Sequence, residues 1–247
     1  MMRALLVRGM LAGLVAAVLG TVFAYAVGEP PVDAAIGLEE AAAHAAGEHD
    51  HGGELVSRGV QSTIGLLTAV GVYGIAIGGL LAIAFAVVYG RLGALRPGPT
   101  ATLLTGAAFV TVVLVPFLKY PANPPAVGQA GTIGHRTGLY FGFVALSVVF
   151  AIAAAVAGRR VADRYGAAAG GVAGCLGYLV VVSVTAWLMP AVNEVPDDFP
   201  ATTLWDFRTA SLGTQVVVWS VLAVTFALLA RKALPTPATA AHPQAAH

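Results

Sequence analysis

The chain has 247 residues, of which 58% are hydrophobic and 10% charged, with a mean hydropathy of +0.83 and a formal net charge of +1. Soluble chains carry about 25% charged residues, so this composition excludes an ordinary soluble domain. The near-neutral net charge gives no reason to expect a nucleic-acid partner.

Six apolar runs are long enough to cross a hydrocarbon core as helices, which takes about 20 residues. We place them near residues 10–27, 62–89, 101–118, 138–158, 166–189 and 212–230. None carries a charged side chain in its middle. The sequence therefore predicts an all-α, polytopic membrane helix bundle with six transmembrane helices, forming a single transmembrane domain over residues 1–234.

The first run has an alternative interpretation as a cleaved signal peptide, which would leave five spans. Arg3 and Arg8 precede it, and it ends in Ala24-Tyr25-Ala26, which is similar to a cleavage site. The apolar stretch 10–27 is eighteen residues long, whereas a signal peptide has an apolar core of about 7–15 residues. We therefore expect the first span to be retained.

The connections between the runs differ in charge, and this difference predicts an orientation. The N-terminus, the second and fourth connections and the C-terminus hold nine basic residues and one acid, a net charge of +8. The first, third and fifth connections hold four basic residues and eleven acids, a net charge of −7. Basic connections stay in the cytoplasm, so we predict that both termini are cytoplasmic.

Residues 29–60, which this orientation places outside, are rich in Ala, Glu and Gly and are predicted to form an outer loop, in which Glu39 to Ala46 is a candidate short surface helix. The loop contains the segment GEHDHGGE over residues 47–54, with a further histidine just upstream. The candidate metal ligands in it are His44, Glu48, His49, Asp50, His51 and Glu54. Imidazole is the commonest metal ligand among side chains, and mixed nitrogen and oxygen donors suit Co²⁺, Ni²⁺, Zn²⁺ or Cu²⁺. We favour weak metal capture; the alternative is a solvated acidic loop that happens to contain histidines.

Two Pro-rich connections follow the third and fifth spans. KYPANPPAVGQAGTIGHRT, residues 119–137, contains three prolines and three glycines and is predicted to lack a regular helix. PAVNEVPDDFPATTLWDFRTAS, residues 190–211, holds a second acidic set, Glu194, Asp197 and Asp198. These carboxylates would complete a metal site with the histidines if the loops meet. The alternative is that topology alone keeps acidic charge outside.

Several kinds of chemistry lack the residues they need. No G-x-x-x-x-G-K-[ST] motif is present for ATP hydrolysis, and no histidine lies within an apolar run to hold a haem. Ser183 has no histidine or lysine within any span to activate it. We therefore predict that the chain is not an enzyme, with no catalytic residues and no permanently bound cofactor.

The spans also lack ionisable residues that could carry a coupled proton or ion. Any transport would then depend on loops, on backbone carbonyls, on a partner protein, or on polar side chains such as Gln61, Thr63, Thr68, Thr105 and Gln215. Beyond the last span, PTPATAAHPQAAH, residues 235–247, is Pro/Ala-rich and predicted to be a disordered tail.

Three segments together resemble a known family. HDHGGE after the first span, FLKYPANPP after the third and MPAVNEVPDDFPATTLWDFR before the last are similar to the family of probable cobalt transporter subunits called CbtA. The resemblance covers residues 3–232. It implies a multi-pass protein of the bacterial cytoplasmic membrane that imports cobalt for cobalamin synthesis, often with a small His-bearing membrane partner, CbtB.

With this resemblance we expect an integral membrane subunit of a cobalt uptake system. Its outer loop would capture Co²⁺, with Ni²⁺ as the alternative ion, and its helix bundle would form or support the path. The ion would be cargo and not a resident cofactor. The alternative is a non-conducting scaffold or accessory metal-binding protein for a partner transporter. Besides the lipid bilayer and the CbtB-like subunit, a second copy of the chain is an expected partner.

Overall fold

A computed structural model of the chain describes residues 2–45, 47, 56–91 and 95–234. Of these residues 86% are helical, with no strand among them, which confirms the predicted all-α class. The elements in chain order are α1 (Met2–Phe23), a first π-helical turn (Ala24–Gly28), α2 (Glu29–Ala45), α3 (Arg58–Val60), a second π-helical turn (Gln61–Gly65), α4 (Leu66–Val88), α5 (Pro97–Phe109), a third π-helical turn (Val110–Leu114), α6 (Val115–Lys119), a 3-10 turn (Ala130–Thr132), α7 (Ile133–Tyr165), α8 (Ala167–Leu188) and α9 (Ala201–Ala233). The predicted ligands at 48–54 and the predicted disordered tail at 235–247 lie outside the described residues.

Six of the described helices are long and apolar enough to cross a membrane, and we number them spans 1 to 6. They are Met2–Ala45, Arg58–Val88, Pro97–Lys119, Ala130–Tyr165, Ala167–Leu188 and Ala201–Ala233. Each contains its predicted apolar run to within one residue at either end. The prediction of a polytopic membrane protein with six transmembrane helices is confirmed.

The helix expected over Glu39 to Ala46 is longer than predicted, and the loop predicted before it is wrong, because α2 extends from Glu29 to Ala45 as the second part of span 1. Pro30 and Pro31 have no backbone N–H and would break an α-helical ladder at this point. The first π-helical turn, Ala24–Gly28, lies directly before them and shifts the hydrogen-bond register there. Beyond the prolines the chain is rich in alanine, the strongest helix former, and Pro31 and Ala35 are buried.

The end of α2 is set by a glycine. Gly47 has a φ of +73°, a left-handed conformation that glycine adopts without a steric penalty. Its N–H donates to the His44 carbonyl at 3.1 Å, which closes the last turn in the manner of a helix C-cap. His44 therefore lies in the final turn of a helix and not in a loop.

The prediction that residues 119–137 lack a regular helix needs a smaller correction. Residues 120–129 lack a regular helix as expected, but a 3-10 turn begins at Ala130 and α7 begins at Ile133. All three prolines of the 119–137 stretch lie before residue 126. The chain beyond them has every backbone N–H that a helix requires.

The contacts divide the chain into two compact units, Met1–Phe23 with Arg58–Gly106 and Val216–His247, and Ala24–Ser57 with Ala107–Gln215. In the first unit α1 packs along α4. A Cβ built on Gly74 would lie 2.5 Å from the Gly13 carbonyl oxygen and 2.8 Å from Ala17 Cβ, and Gly9 and Gly78 face each other as closely. Gly9 and Gly13 of α1, and Gly74 and Gly78 of α4, are four residues apart in the sequence, a spacing that predicts close helix packing in lipid. The two pairs pack against each other within the chain.

Aromatic side chains of α9 complete the first unit. Phe226 packs edge-on against Phe85 of α4, with ring centroids 5.4 Å apart, and both side chains are fully buried. Trp219 Nε1 donates to the Tyr73 hydroxyl at 3.3 Å. The C-terminal half of α9 is therefore held on α4 by both ring packing and a polar contact.

In the second unit α7 and α8 form an antiparallel pair. Gly166, with a φ of +90°, makes the turn between them, and its N–H donates to the Ala162 carbonyl at 2.9 Å. A Cβ on Gly158 would lie 2.7 Å from the Gly170 carbonyl oxygen, and a Cβ on Gly170 would lie 2.5 Å from Ala162 Cβ. The two backbones are thus in close contact directly beside the turn.

Candidate functional site

The backbone hydrogen-bond ladder of span 3 is broken at the third π-helical turn, Val110–Leu114. In the third π-helical turn the Val115 N–H donates to the Val110 carbonyl, five residues back. In the same register residue 116 would donate to the Thr111 carbonyl, but Pro116 has no N–H. The register therefore gives the Thr111 carbonyl no backbone donor, within a span where lipid cannot supply one.

A serine of the neighbouring span supplies that donor. Ser147 Oγ, fully buried, donates to the Thr111 carbonyl at 2.7 Å. Because a hydroxyl carries a single hydrogen, the Tyr178 hydroxyl, 2.8 Å from Ser147 Oγ, is the donor in their contact. Phe143 and Val182 pack around this group. One buried polar network thus joins spans 3, 4 and 5.

We expect Ser147→Ala to lower the free energy of unfolding by about 1–2 kcal/mol, because it leaves the Thr111 carbonyl without a donor and Tyr178 without an acceptor. Ser183→Ala is the matched control, since Ser183 is exposed on α8. The measurement is thermal or denaturant unfolding of both purified variants in one detergent. Equal stability of the two variants would contradict the assigned role of Ser147.

At one end of the second unit, the two Pro-rich loops, residues 120–132 and 189–200, are joined by hydrogen bonds. Lys119 Nζ donates to the Met189 carbonyl at 2.9 Å, at the C-terminus of α8, where a positive charge is favourable. The Tyr120 hydroxyl donates to the Pro190 carbonyl, also at 2.9 Å. The end of span 3 is thereby fixed to the end of span 5.

Glu194 makes the central contact between these loops. Its Oε2 accepts hydrogen bonds from the Gln129 backbone N–H and the Thr132 hydroxyl, each at 2.9 Å. Arg136 Nε lies 3.3 Å from the same oxygen and forms an ion pair with it. One carboxylate oxygen of the fifth connection thus gathers three groups of the third.

These contacts favour the ionised carboxylate. The hydrogen bond from the Gln129 N–H, followed by that from the Thr132 hydroxyl, holds the pKa of Glu194 below its usual value. Partial burial opposes this shift, and the positive charge of Arg136 adds to it. Glu194 is therefore a negative charge on which the loop structure depends.

Two further features hold the 120–132 loop in place. Arg208 of α9 donates from Nε to the Ala122 carbonyl at 3.2 Å and from Nη2 to Asn123 Oδ1 at 2.9 Å. Gly128 has a φ of +114°, and a Cβ there would overlap the guanidinium of Arg136. Only glycine fits this position without displacing the Arg136 side chain.

We expect Glu194→Gln to melt at a lower temperature than the natural protein at pH 7, because the amide keeps the hydrogen-bond acceptor but loses the charge. A carboxylate with a depressed pKa stabilises the fold above its unfolded pKa, about 4.3 for glutamate, and loses that effect as pH falls through the folded value. The difference in melting temperature should therefore shrink below about pH 4.3. Asp197→Asn, an equal loss of charge at an exposed neighbour, is the control. A gap independent of pH would contradict the role of the Glu194 charge.

The structure separates the predicted ligands into different settings. His44 is exposed in the last turn of α2, and Asp197 and Asp198 are exposed in the 189–200 loop, whereas Glu194 is engaged in the loop contacts. Among the described residues, no three or more His, Cys, Asp or Glu side chains come together as a metal site. A joint site of the acidic set with the histidines stays a prediction.

The charge that this end of the second unit presents to solvent is acidic. Its basic side chains Lys119, Arg136 and Arg208 point into the loop contacts just described. The carboxylates Asp197, Asp198 and Asp206 are exposed. A concentration of exposed carboxylates attracts cations and raises their local concentration.

A comparison with protein families matches a region that contains both sets of contacts described above. The family model described as probable cobalt transporter subunit (CbtA) matches residues 2–231. The chain belongs to the CbtA family. No curated protein and no solved structure matches it. As a CbtA member it is a membrane-embedded transporter subunit, so Co²⁺ is the transported ion that the family implies and a partner protein is expected.

Two sets of residues in this CbtA member were not identified from the sequence. The first is Ser147 with Tyr178, for which the signal was Pro116: a proline inside a span leaves a carbonyl that a neighbouring hydroxyl must satisfy. The second is the set of basic residues in the acidic connections, Lys119, Arg136 and Arg208. The feature that could have identified them is their positive charge, because a basic residue in an otherwise acidic connection commonly has a structural partner.

Proposed function

We propose that this CbtA member is the integral membrane subunit of a Co²⁺ uptake system of the bacterial cytoplasmic membrane. An outer segment captures the ion, and the helix bundle forms or supports the path. The observation that carries the proposal is the family match over residues 2–231, on a chain with six membrane-spanning helices. The chain itself has no catalytic role in this proposal and holds no permanent cofactor.

The capture site in this proposal follows the end of α2. Span 1, whose last part is α2, has 44 helical residues, well above the roughly 20 that cross a hydrocarbon core. A helix of this length extends beyond the membrane, and His44 is exposed in its last turn. The ligands we assign are His44, Glu48, His49, Asp50, His51 and Glu54. Asp197 and Asp198 are secondary candidates, and Glu194 is the least available because its Oε2 is already engaged.

The proposed orientation places both termini in the cytoplasm and the acidic connections outside. It rests on the charge difference of +8 against −7 between the two sets of connections and on the retention of basic connections in the cytoplasm. Reporter fusions at residues 95 and 162 should score as cytoplasmic. An external score at either position would overturn this orientation.

The hydroxyls named from the sequence are hydrogen-bonded within their own helices. Thr63, Thr68 and Thr105 donate to backbone carbonyls at 2.6, 2.7 and 2.8 Å, and each oxygen keeps lone pairs for an ion. The apolar runs have no charged side chain in their middle, and this favours the second candidate function, a non-conducting scaffold whose CbtB-like partner, or a second copy of the chain, completes the path. The groups that this chain itself offers are loops, backbone carbonyls, these hydroxyls and the side chains of Gln61 and Gln215.

Radiolabelled Co²⁺ uptake by cells expressing the chain separates the two functions. Import by the chain alone, above that of cells carrying an empty vector, supports the permease. Import only when a small His-bearing partner is co-expressed supports the scaffold. Absence of Co²⁺ import under both conditions, with the protein present in the membrane, would overturn the proposed function, and parallel assays with Ni²⁺ measure ion selectivity.

A further inference from the structure

We propose that the end of α7 carries a binding site for an anionic phosphate group, formed by Arg160 and Arg164. The two side chains, with Val161, Asp163 and Tyr165, surround a shallow cleft that is open to solvent on the surface of the last turns of α7. Neither the capture segment nor the Pro-rich loops involve this region. The ligand chemistry is that of a phosphate with unshared negative oxygens, as in an anionic lipid headgroup or free phosphate.

The geometry of α7 brings the two guanidinium groups together. Residues four apart on a helix are neighbours, with Cβ atoms about 5–6 Å apart. Ala162, two residues from each arginine, faces Gly170 of α8, so the arginines lie on the opposite side of α7. Both are exposed. Each guanidinium offers a planar pair of N–H donors that matches two phosphate oxygens.

Arg160 and Arg164 lie near the end of α7, at the level of lipid headgroups. α7 has 33 residues, about 50 Å at 1.5 Å per residue, which exceeds a hydrocarbon core of about 30 Å. Its apolar run ends near residue 158, so the turns that follow lie at the interface, where tyrosine is also enriched. Tyr165, with 74% of its surface exposed, lines the cleft at this level.

The backbone beneath the cleft is rigid. The Gly166 turn is closed by its hydrogen bond to Ala162, and Gly158 and Gly170 hold α7 and α8 in backbone contact next to it. A fixed backbone reduces the conformational freedom lost when a ligand binds. The site is therefore better organised than a pair of arginines on a free helix end.

Because the cleft contains charges of both signs, removing its acid and removing its arginines should have opposite effects on phosphate binding. Asp163 lines the cleft beside the two arginines, so its carboxylate repels a phosphate while the arginines attract it. Removing the acid should strengthen binding, and removing the arginines should weaken it. A merely structural role of these residues would not produce opposite signs.

The test uses the full chain in nanodiscs of phosphatidylcholine, with and without phosphatidylglycerol, and titrates the rise in melting temperature. A third arm adds inorganic phosphate to phosphatidylcholine nanodiscs. We expect the double variant Arg160→Gln and Arg164→Gln to need about ten times more phosphatidylglycerol for the same rise in melting temperature. Asp163→Asn should need less of it. A response to phosphatidylglycerol alone identifies a lipid ligand, and a response to inorganic phosphate identifies the free anion.

Arg96→Gln is the matched control, because Arg96 carries the same charge and is exposed but lies on another helix connection and does not line the cleft. It should leave the phosphatidylglycerol effect unchanged. Melting in phosphatidylcholine alone shows whether each variant is folded, and Asp163→Asn tests the site even if the double variant is unstable. An equal loss in Arg96→Gln, or weaker binding in Asp163→Asn, would overturn the proposal.

Discussion

Gly74→Leu is expected to disrupt the packing of α1 on α4 and to lower the free energy of unfolding by about 3 kcal/mol, at the upper end of the usual cost of overpacking. The added side chain meets the Gly13 carbonyl and Ala17 Cβ, which belong to a packed helix and cannot rotate away as a flexible side chain would. Relief requires the two backbones to move apart. Separation of the helices would also expose the glycine backbones that now contact each other.

Gly71→Leu is the matched control for this prediction. Gly71 lies on the same helix, three residues away, and a Cβ built on it has no atom within 4 Å. Leucine is also a better helix former than glycine, so the control should be as stable as the natural protein or more so. Denaturant unfolding in detergent measures both variants. Similar losses in the two would show that α1 and α4 do not depend on this glycine contact.

The second prediction concerns metal capture and its dependence on pH. A peptide covering residues 40–56 should bind Co²⁺ or Ni²⁺ with micromolar or weaker affinity, because ordering a Gly-rich segment opposes binding. Ligation requires neutral imidazole, whose unperturbed pKa is about 6.5. The affinity should therefore fall steeply between about pH 7 and pH 5.5, as the histidines become protonated.

Calorimetry on variants of this peptide tests the assignment. Replacing both His49 and His51 by alanine should remove most of the binding, whereas Asp50→Asn, which removes a charge but no imidazole, should weaken it modestly. Unchanged Co²⁺ binding by the double-alanine peptide would mean that the segment is a solvated acidic loop. Binding that does not vary over this pH range would exclude imidazole as the ligand.

The membrane architecture could be predicted from the sequence because it depends on local properties. Length and apolar composition decide whether a helix can cross a bilayer, and both are properties of a continuous segment. The four-residue glycine spacings likewise indicated close helix packing, which α1 and α4 confirm. The sequence indicated a helix only over Glu39 to Ala46 and not the first part of α2, because its two prolines and its acidic residues are also typical of a loop.

The contacts of the candidate site could not be predicted in the same way. Glu194 bonds to residues 62 and 65 positions earlier in the chain, and Ser147 donates to a carbonyl 36 positions earlier. Such pairs depend on how the helices are arranged in space. The sequence showed that Glu194 is acidic, but not that its partners would use one of its oxygens before any metal could.

The division of labour between capture and path can be tested with one deletion. Removing residues 44–54 should raise the external Co²⁺ concentration needed for half-maximal uptake, while the maximal rate changes less, because a capture segment raises local ion concentration without forming the path. Removal of 236–246, an equal length of the tail that includes His242, should leave the curve unchanged. The measurement is the initial rate of radiolabelled Co²⁺ uptake across a range of external concentrations. Complete loss of uptake at saturating Co²⁺ would contradict the account and place the segment in the path.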